Sequence, residues 1–540
     1  MPRRPPTYLL PAAAILLGVI HFFVYHQRML EMPLRFNDDV VQHYLWLFDT
    51  DWGDDFYART SGQIQPWGFA LLLRTAALLL DPLTISRYGP LLVTVLIATY
   101  GTLLLRRFVP AALALAGAYL LCQYTLYVGV GCLARSFCIP LLLAFAYYLL
   151  ADRRRGIAAA FLASGLFYPP ALLINGCIYA VWEGGRWLLR LRDRHYPRHR
   201  WPHWRLTGGG ALLAGLLVVV QSYRIATSPD LGAMLSLDEL TMMPEFGDGG
   251  RVGFKFLAQT PVWTMTQYYL RAYFGTEPGP DVALAILAAA ALAGLIARRR
   301  LGRFAVYLFL FWAVTVGLYA AARQLLPALF LPDRYYQYPW RLAVPLTYLL
   351  IVAGLYSLWP RRWLSVLLVL PVAWLGYRYV GPREMPLVGM DDRAAVFTAL
   401  GALPDTAVIA APPQLASFIP LLSERSVFIS HEAAHALYFR HYYDYVTPRY
   451  AAYVEAVTDP DPTAVLTFLD RYGIDYLLID PRLNSSLYGL FAPHQQRFNA
   501  RRAALGPDGP AVARIAAAIG RPLNDEVSLV SREELRAWLR

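Results

Sequence analysis

Residues 86–128 read SRYGPLLVTVLIATYGTLLLRRFVPAALALAGAYLLCQYTLYV. Two apolar runs of about 20 residues flank Arg106 and Arg107, and a helix of that length matches the thickness of a bilayer core. The stretch predicts two membrane-crossing helices joined by a basic turn. Further apolar runs lie at 7–25, 134–151, 157–169, 170–187, 208–226, 281–297, 303–322, 341–358 and 363–380. With 86–105 and 108–128 they give about 11 spans. Composition agrees: 57% of the 540 residues are hydrophobic and 16% charged, against ~25% charged in soluble domains. A disordered chain and a soluble nucleic-acid-binding protein are excluded on those numbers.

Charge decides which runs cross. Residues 1–390 carry 35 basic and 20 acidic side chains, and 391–540 carry 14 and 17. The basic residues, all Arg except Lys255, sit in clusters between apolar runs: Arg3/Arg4, Arg106/Arg107, Arg153–Arg155, Arg186–Arg205, Arg298–Arg303 and Arg361/Arg362. Cytoplasmic loops are rich in Lys and Arg. All these clusters fall on one side only if the short run 66–81, with Arg74 in it, does not cross. It is therefore expected to lie along the membrane surface. Tyr168-Pro169-Pro170 must also divide 157–187 into two spans. The first run is too long for a signal peptide's apolar core, and His21, Phe22 and Phe23 stand where small cleavage-site residues belong. It is read as an uncleaved span with its N-terminus in the cytoplasm.

The predicted architecture is a polytopic α-helical membrane domain over 1–380 and a soluble extracytoplasmic α/β domain over 381–540. The membrane domain has outside loops at 26–65, 227–280 and 323–340, the last an aromatic-rich interfacial stretch. Strands are expected at Ala407–Ala411, Val427–Ser430, Tyr476–Asp480 and Val527–Val530, alternating with helices at 392–402, 413–422, 432–457, 463–472 and 511–519. The protein is expected in the plasma (inner) membrane. Cys122, Cys132, Cys138 and Cys177 lie in or beside apolar runs and read as packed thiols.

The first outside loop carries the candidate chemistry. Segment 31–65 holds seven acids and two Arg, a net −5 in a basic protein. Within it, Arg35-Phe-Asn-Asp-Asp-Val-Val-Gln-His-Tyr-Leu-Trp46 places Val40, Val41, Tyr44, Leu45 and Phe48 at helical spacing. Asp39 and His43, four apart, share a helix face. Capping explains part of the pattern, with Asn37 as N-cap and Asp38 and Asp39 at the positive helix end. The functional reading is that Asp38 or Asp39, at the lipid–water boundary, is a general base for an acceptor hydroxyl. Asp51, Asp54 and Asp55 read as a solvated turn.

A long outside loop after the first span, Asp38-Asp39 near its start and Pro66-Trp67-Gly68 opening a membrane-lying helix resemble the type C glycosyltransferase superfamily. Its members include protein O-mannosyltransferases and aminoarabinose transferases. The resemblance implies a polyprenyl-phosphate-linked sugar donor, an extracytoplasmic acceptor and an essential carboxylate in this loop. The family pattern is often Asp-Glu followed by Tyr; here it is Asp38-Asp39 with Tyr44, so which Asp is the base stays open. A donor phosphate needs cations. Arg59, Arg271 and Arg334, with His43 and Tyr335, are the substrate-binding candidates, and Arg224, Arg251, Lys255 and Arg323 are further cations. Asp238, Glu239 and Glu245 of the second loop are weaker acceptor-orienting candidates. A divalent cation is compatible with the acidic loop and is not required by it.

His431-Glu432-Ala433-Ala434-His435 matches the H-E-x-x-H zinc pattern, with His441 at third-ligand spacing. Tyr438 stands where the pattern's Gly belongs, no Met follows Met390, and the segment opens directly after a strand. No metal site is assigned. There is no phosphate-binding Gly loop with its Lys, which argues against an ATP-driven pump. The leading reading is inverting sugar transfer from a polyprenyl-phosphate carrier, with membrane lipid as surroundings and no nucleic-acid partner. The alternatives are a lipid-linked glycan transporter, or flippase, and a non-catalytic scaffold in envelope assembly.

Overall fold

The computed structural model describes residues 9–32, 34–48, 55–192, 204–274, 280–329, 331–380, 387–480, 489–506, 509–525 and 527–540. A helix occupies each of the apolar runs, including Leu9–Tyr25, Pro82–Leu105, Ala111–Gly129, Cys138–Leu150, Trp204–Ala226 and Arg298–Gln324. Among the described residues, five helices are by length and composition able to cross a bilayer: Pro82–Leu105, Ala111–Gly129, Arg205–Ala226, Arg298–Gln324 and Arg334–Leu358. Leu9–Tyr25, Ala134–Leu150, Asp281–Ile296 and Trp363–Arg378 are shorter apolar helices. The outward faces stay apolar. Leu212, Leu216 and Val219 on one helix, and Val366, Leu370 and Trp374 on another, are exposed. Surfaces of that kind suit lipid rather than water.

Tyr168 leaves the helical conformation, with φ −156° and ψ 90°, between helices Arg154–Phe167 and Pro169–Arg192. Pro disfavours the α region in the residue before it, and here two prolines follow. The chain then folds back. Asn175 Nδ2 donates to Ser164 Oγ at 3.2 Å, and Arg154 reaches Glu183 at 3.1 Å. The two helices are therefore antiparallel neighbours rather than one bent rod. Helix Trp204–Ala226 packs on Arg154–Phe167 through small residues. A Cβ on Gly210 would lie 2.9 Å from Ala158 Cβ, so glycine permits this approach.

Run 66–81 forms the helix Trp67–Ala77. At 1.5 Å per residue it is about 16 Å long, too short to cross. Phe69 and Leu73 face inward while Leu71, Leu78 and Leu79 are exposed. The stretch 323–340 corrects one expectation. Tyr335, Tyr336, Tyr338 and Trp340 are fully buried, not an interfacial belt. Trp340 packs tilted against Tyr336, ring centroids 4.3 Å apart, and donates Nε1–H to Thr315 at 2.8 Å, so its polar edge is satisfied inside the core.

Among the described residues seven strands form two sheets: β1 Arg35–Phe36, β2 Val388–Gly389, β3 Val408–Ala410, β4 Ser426–Val427, β5 Tyr476–Ile479, β6 Arg521–Pro522 and β7 Ser528–Ser531. The larger sheet has the order β4-β3-β5-β7-β6, with β3 parallel to β4 and β5, and β7 antiparallel to β5 and β6. β1 and β2 pair antiparallel, Arg35 opposite Gly389 and Phe36 opposite Val388. That ladder, with Phe36 edge-on to Phe418 at 5.7 Å, ties the first loop to the C-terminal part. The helix expected over 432–457 starts only at Arg440.

Candidate functional site

Asp38 and Asp39 stand between β1 and the short helix Val40–Tyr44. Of the predicted apolar face, Val40, Val41, Tyr44 and Leu45 are buried, while Phe48 is half-buried beyond the helix. Tyr44 Oη donates toward the Gly131 and Cys132 carbonyls at 3.1 and 2.9 Å, pinning the loop to the turn after Ala111–Gly129. Gly131 has φ +81°, and a Cβ there would sit 3.1 Å from Val40 Cγ2 and 3.3 Å from Asn37 Cβ. The capping expectation needs correcting. The helix starts at Val40, Asp39 occupies the cap position without a side-chain cap bond, and Asn37 Oδ1 accepts from Asp39 N at 3.1 Å.

The turn pinned by Tyr44 delivers Arg135, whose guanidinium pairs with the Asp39 carboxylate and lies 3.4 Å from Asn37 Oδ1. Asp39 Oδ1 accepts from Gln42 Nε2 at 3.0 Å, and the same amide donates to Glu432 Oε2 at 2.8 Å. Glu432 in turn pairs with Arg251 at 3.2 Å, and Arg251 Nε donates to the His431 carbonyl at 2.9 Å. One network thus joins the first loop, the 130–137 turn, the second loop and the C-terminal part.

The two neighbouring carboxyls are pushed apart. Burial, then the Asp39 and Glu432 charges, raise Asp38 to about 6. Burial also acts on Asp39, but Arg135 and His43 outweigh it and hold that carboxyl below its usual value. Both side chains remain partly open to solvent. Burial lowers His43 to about 4, against the pull of Asp39 and its bond to Gln65 at 3.1 Å. Gln65 Nε2 already donates to the Ser61 carbonyl, so its Oε1 accepts the His43 Nδ1 proton. His43 Nε2 is left as an acceptor.

Of the three arginines named as substrate-binding candidates, Arg334 joins this group. Its charge bears on Asp39 and His43. It donates to Gln337 at 2.9 Å and lies 5.0 Å over the Tyr338 ring. Among the described residues no carboxylate pairs with it. Neighbouring Tyr335 is buried in the core. Arg59 is not brought to the site: its guanidinium is held by Asp230 at 3.0 and 2.9 Å. Arg271 is exposed on helix Val262–Phe274. Arg323 caps carbonyls of Leu257 and Ala258.

Glu239 closes a capping box with Ser236 and meets Arg440, and Glu245 accepts from Tyr443 at 3.0 Å. Asp55 is not a solvated turn residue; it caps helix Phe56–Gln63 through Ala58 N at 2.8 Å. Asp49, Asp51 and Asp54 lie outside the described residues.

The H-E-x-x-H segment folds as turns, so the two-histidine helical face does not form. His431, His435 and His441 each direct Nδ1 at a backbone carbonyl, of Gly489, Ala433 and Pro229. Among the described residues no group of three or more His, Cys, Asp or Glu is placed to hold a metal. Sequence reasoning missed Arg135, Gln42 and the place of Glu432. Glu432 had a signal, in a polar motif of the C-terminal part, but it was weighed only as a zinc-site base.

Among solved structures, the fold is similar to the apo Archaeoglobus fulgidus oligosaccharyltransferase, at 11% identity over 90% of this chain and 71% of that one, with a TM-score of 0.47. It is also similar to ArnT from Cupriavidus metallidurans in the apo state, at 12% identity, 97% of each chain and a TM-score of 0.41. The archaeal oligosaccharyltransferase AglB from Archaeoglobus fulgidus, solved with an inhibitory peptide and a dolichol-phosphate, aligns at 12% identity over 91% of this chain and 71% of that one, with a TM-score of 0.35. No protein-family model and no curated protein matches the sequence.

Proposed function

We propose that this chain is an inner-membrane transferase moving a sugar from a polyprenyl-phosphate carrier to an extracytoplasmic hydroxyl acceptor, with about 11 spans and the C-terminal part outside. The observation that carries the reading is the pair of adjacent carboxyls with opposite roles. Environments that drive two neighbouring acids apart mark an acid/base assignment. Asp38, raised to about 6, is basic enough to take a proton yet deprotonated at neutral pH. Asp39, held by Arg135 and Gln42, stays ionised and fixes the loop.

In the proposed step Asp38 accepts the acceptor's proton while the acceptor oxygen bonds to the anomeric carbon. The bond from that carbon to the phosphate oxygen breaks, and polyprenyl phosphate leaves with the electron pair. A single displacement inverts the anomeric centre. Arg334, with no carboxylate partner among the described residues, neutralises the charge developing on the phosphate. His43 offers Nε2 to a sugar or acceptor hydroxyl.

The test is transfer in membrane vesicles from a panel of polyprenyl-phosphate sugars, comparing wild type, Asp38→Asn and Asp39→Asn at matched expression. Loss of transfer in Asp38→Asn supports the assignment. Full transfer in that variant removes Asp38 as the base.

A further inference from the structure

A second charged region lies away from the Asp38 site. Arg107, Arg298, Arg299, Arg300 and Arg303, with Phe108, Leu150 and Gly302, line a cavity of about 420 Å³. Three elements build it: the turn after Pro82–Leu105, the end of Cys138–Leu150 and the first turn of Arg298–Gln324. Phe108 stacks on Phe304 at 4.9 Å and locks the turn to the long helix. Arg107 Nη2 donates to the Leu150 carbonyl at 3.1 Å, and Arg303 lies 5.7 Å over the Trp182 ring.

None of the five guanidiniums has a carboxylate within ion-pair distance among the described residues. The nearby acids are already engaged: Asp152 with Arg154 at 3.1 Å, and Glu183 with Arg154 and Arg186 at 3.1 and 2.8 Å. All five side chains are exposed, so solvent screens part of their repulsion, and an anion joining them relieves what remains. The N-terminus of a 27-residue helix adds positive potential. Ordinary interfacial arginines point separately into the lipid surface; these face one hollow. Apolar Phe108 and Leu150 share its wall, at the ends of apolar helices where a bilayer surface would lie.

We propose that this pocket binds the phosphate headgroup of an anionic phospholipid, with the acyl chains running along the adjacent apolar helices. Basic pockets between membrane helices on the cytoplasmic side take such headgroups. The site is independent of the transfer reading and rests only on the membrane placement of these helices.

The test uses the full-length protein purified in dodecyl maltoside and titrated with dioctanoyl-phosphatidylglycerol, dioctanoyl-phosphatidylcholine or inorganic phosphate. Bound molecules are counted by native mass spectrometry. One phosphatidylglycerol is expected to be retained in preference to phosphatidylcholine. Arg299→Gln/Arg300→Gln is expected to weaken it at least tenfold. The charge-matched Arg155→Gln/Arg361→Gln, exposed and outside the pocket, is expected to leave it unchanged. Arg299 and Arg300 are themselves exposed, and each single variant is read as well, so a folding failure of the double variant does not end the test. Equal binding of phosphatidylcholine overturns the proposal, as does equal weakening by the two double variants. Displacement by inorganic phosphate at the lipid's own concentration makes it a free-anion site and overturns the lipid assignment.

Discussion

The Asp38 site and the arginine pocket are both clusters of charge at the ends of apolar helices, and they are built on opposite plans. In the first, Asp39 and Glu432 pair with Arg135 and Arg251 and are joined through Gln42, with Asp38 and Arg334 beside them. In the second, five arginines face a cavity with no carboxylate among the described residues to pair them. A balanced network spends its charges internally, which fixes side chains and separates the behaviour of neighbouring acids. An unbalanced one leaves its charge for a ligand. Chemistry is therefore proposed at the first and anion binding at the second.

The sharpest way to break that contrast is Asp38→Asn. Removing a general base typically costs 10²–10⁴-fold, so transfer in vesicles is expected to fall by about that much. Asp39→Asn is expected to lose less, because it removes the clamp and not the base, and to move the acid limb of the pH profile to lower pH, because the Asp39 charge helps to raise Asp38. Arg334→Gln comes next. Loss of one preorganised donor to developing charge costs roughly 10²–10³-fold, and Arg334→Lys is expected to recover part of it as a point charge.

A smaller effect tests whether Glu432 belongs to the network. Wild-type transfer should rise as pH passes upward through about 6, where Asp38 loses its proton, and fall away below. The Glu432 charge raises Asp38, so Glu432→Gln should move that limb to lower pH, read from initial rates between pH 4.5 and 8 on a three-component buffer (about two units either side of 6). An unmoved limb would take Glu432 out of the network. Last is Arg271→Gln. An exposed helix position costs within ~0.5 kcal/mol, and thermal unfolding and transfer are both expected to stay at wild-type values. A loss of transfer would restore Arg271 as a substrate cation.

Much of this was legible. A helix stands at each predicted apolar run, and the break at Tyr168 was marked by two prolines. The first loop declared itself by seven acids in a basic chain, and its helix buries the face that 3.6-residue spacing selects. What was not legible came from contacts distant in sequence. Asp39 meets Arg135 across 96 positions, and Gln42 meets Glu432 across 390. Local spacing also misled at 323–340, where Tyr and Trp suit a membrane interface and a packed core equally well. The same happened at His431–His435, where two histidines four apart meet on one face only if the segment is helical.

The sequence by itself determined where the chain is apolar enough for a membrane, where it is basic, and which short loop concentrates carboxylates. Those follow from composition and period, which act over a few residues. Only the tertiary structure decided which carboxyl is paired and which is raised, and which arginine is locked by Asp230 and which faces the site. Burial and Coulomb interactions depend on distance in space, and folding sets that distance between residues the chain keeps far apart.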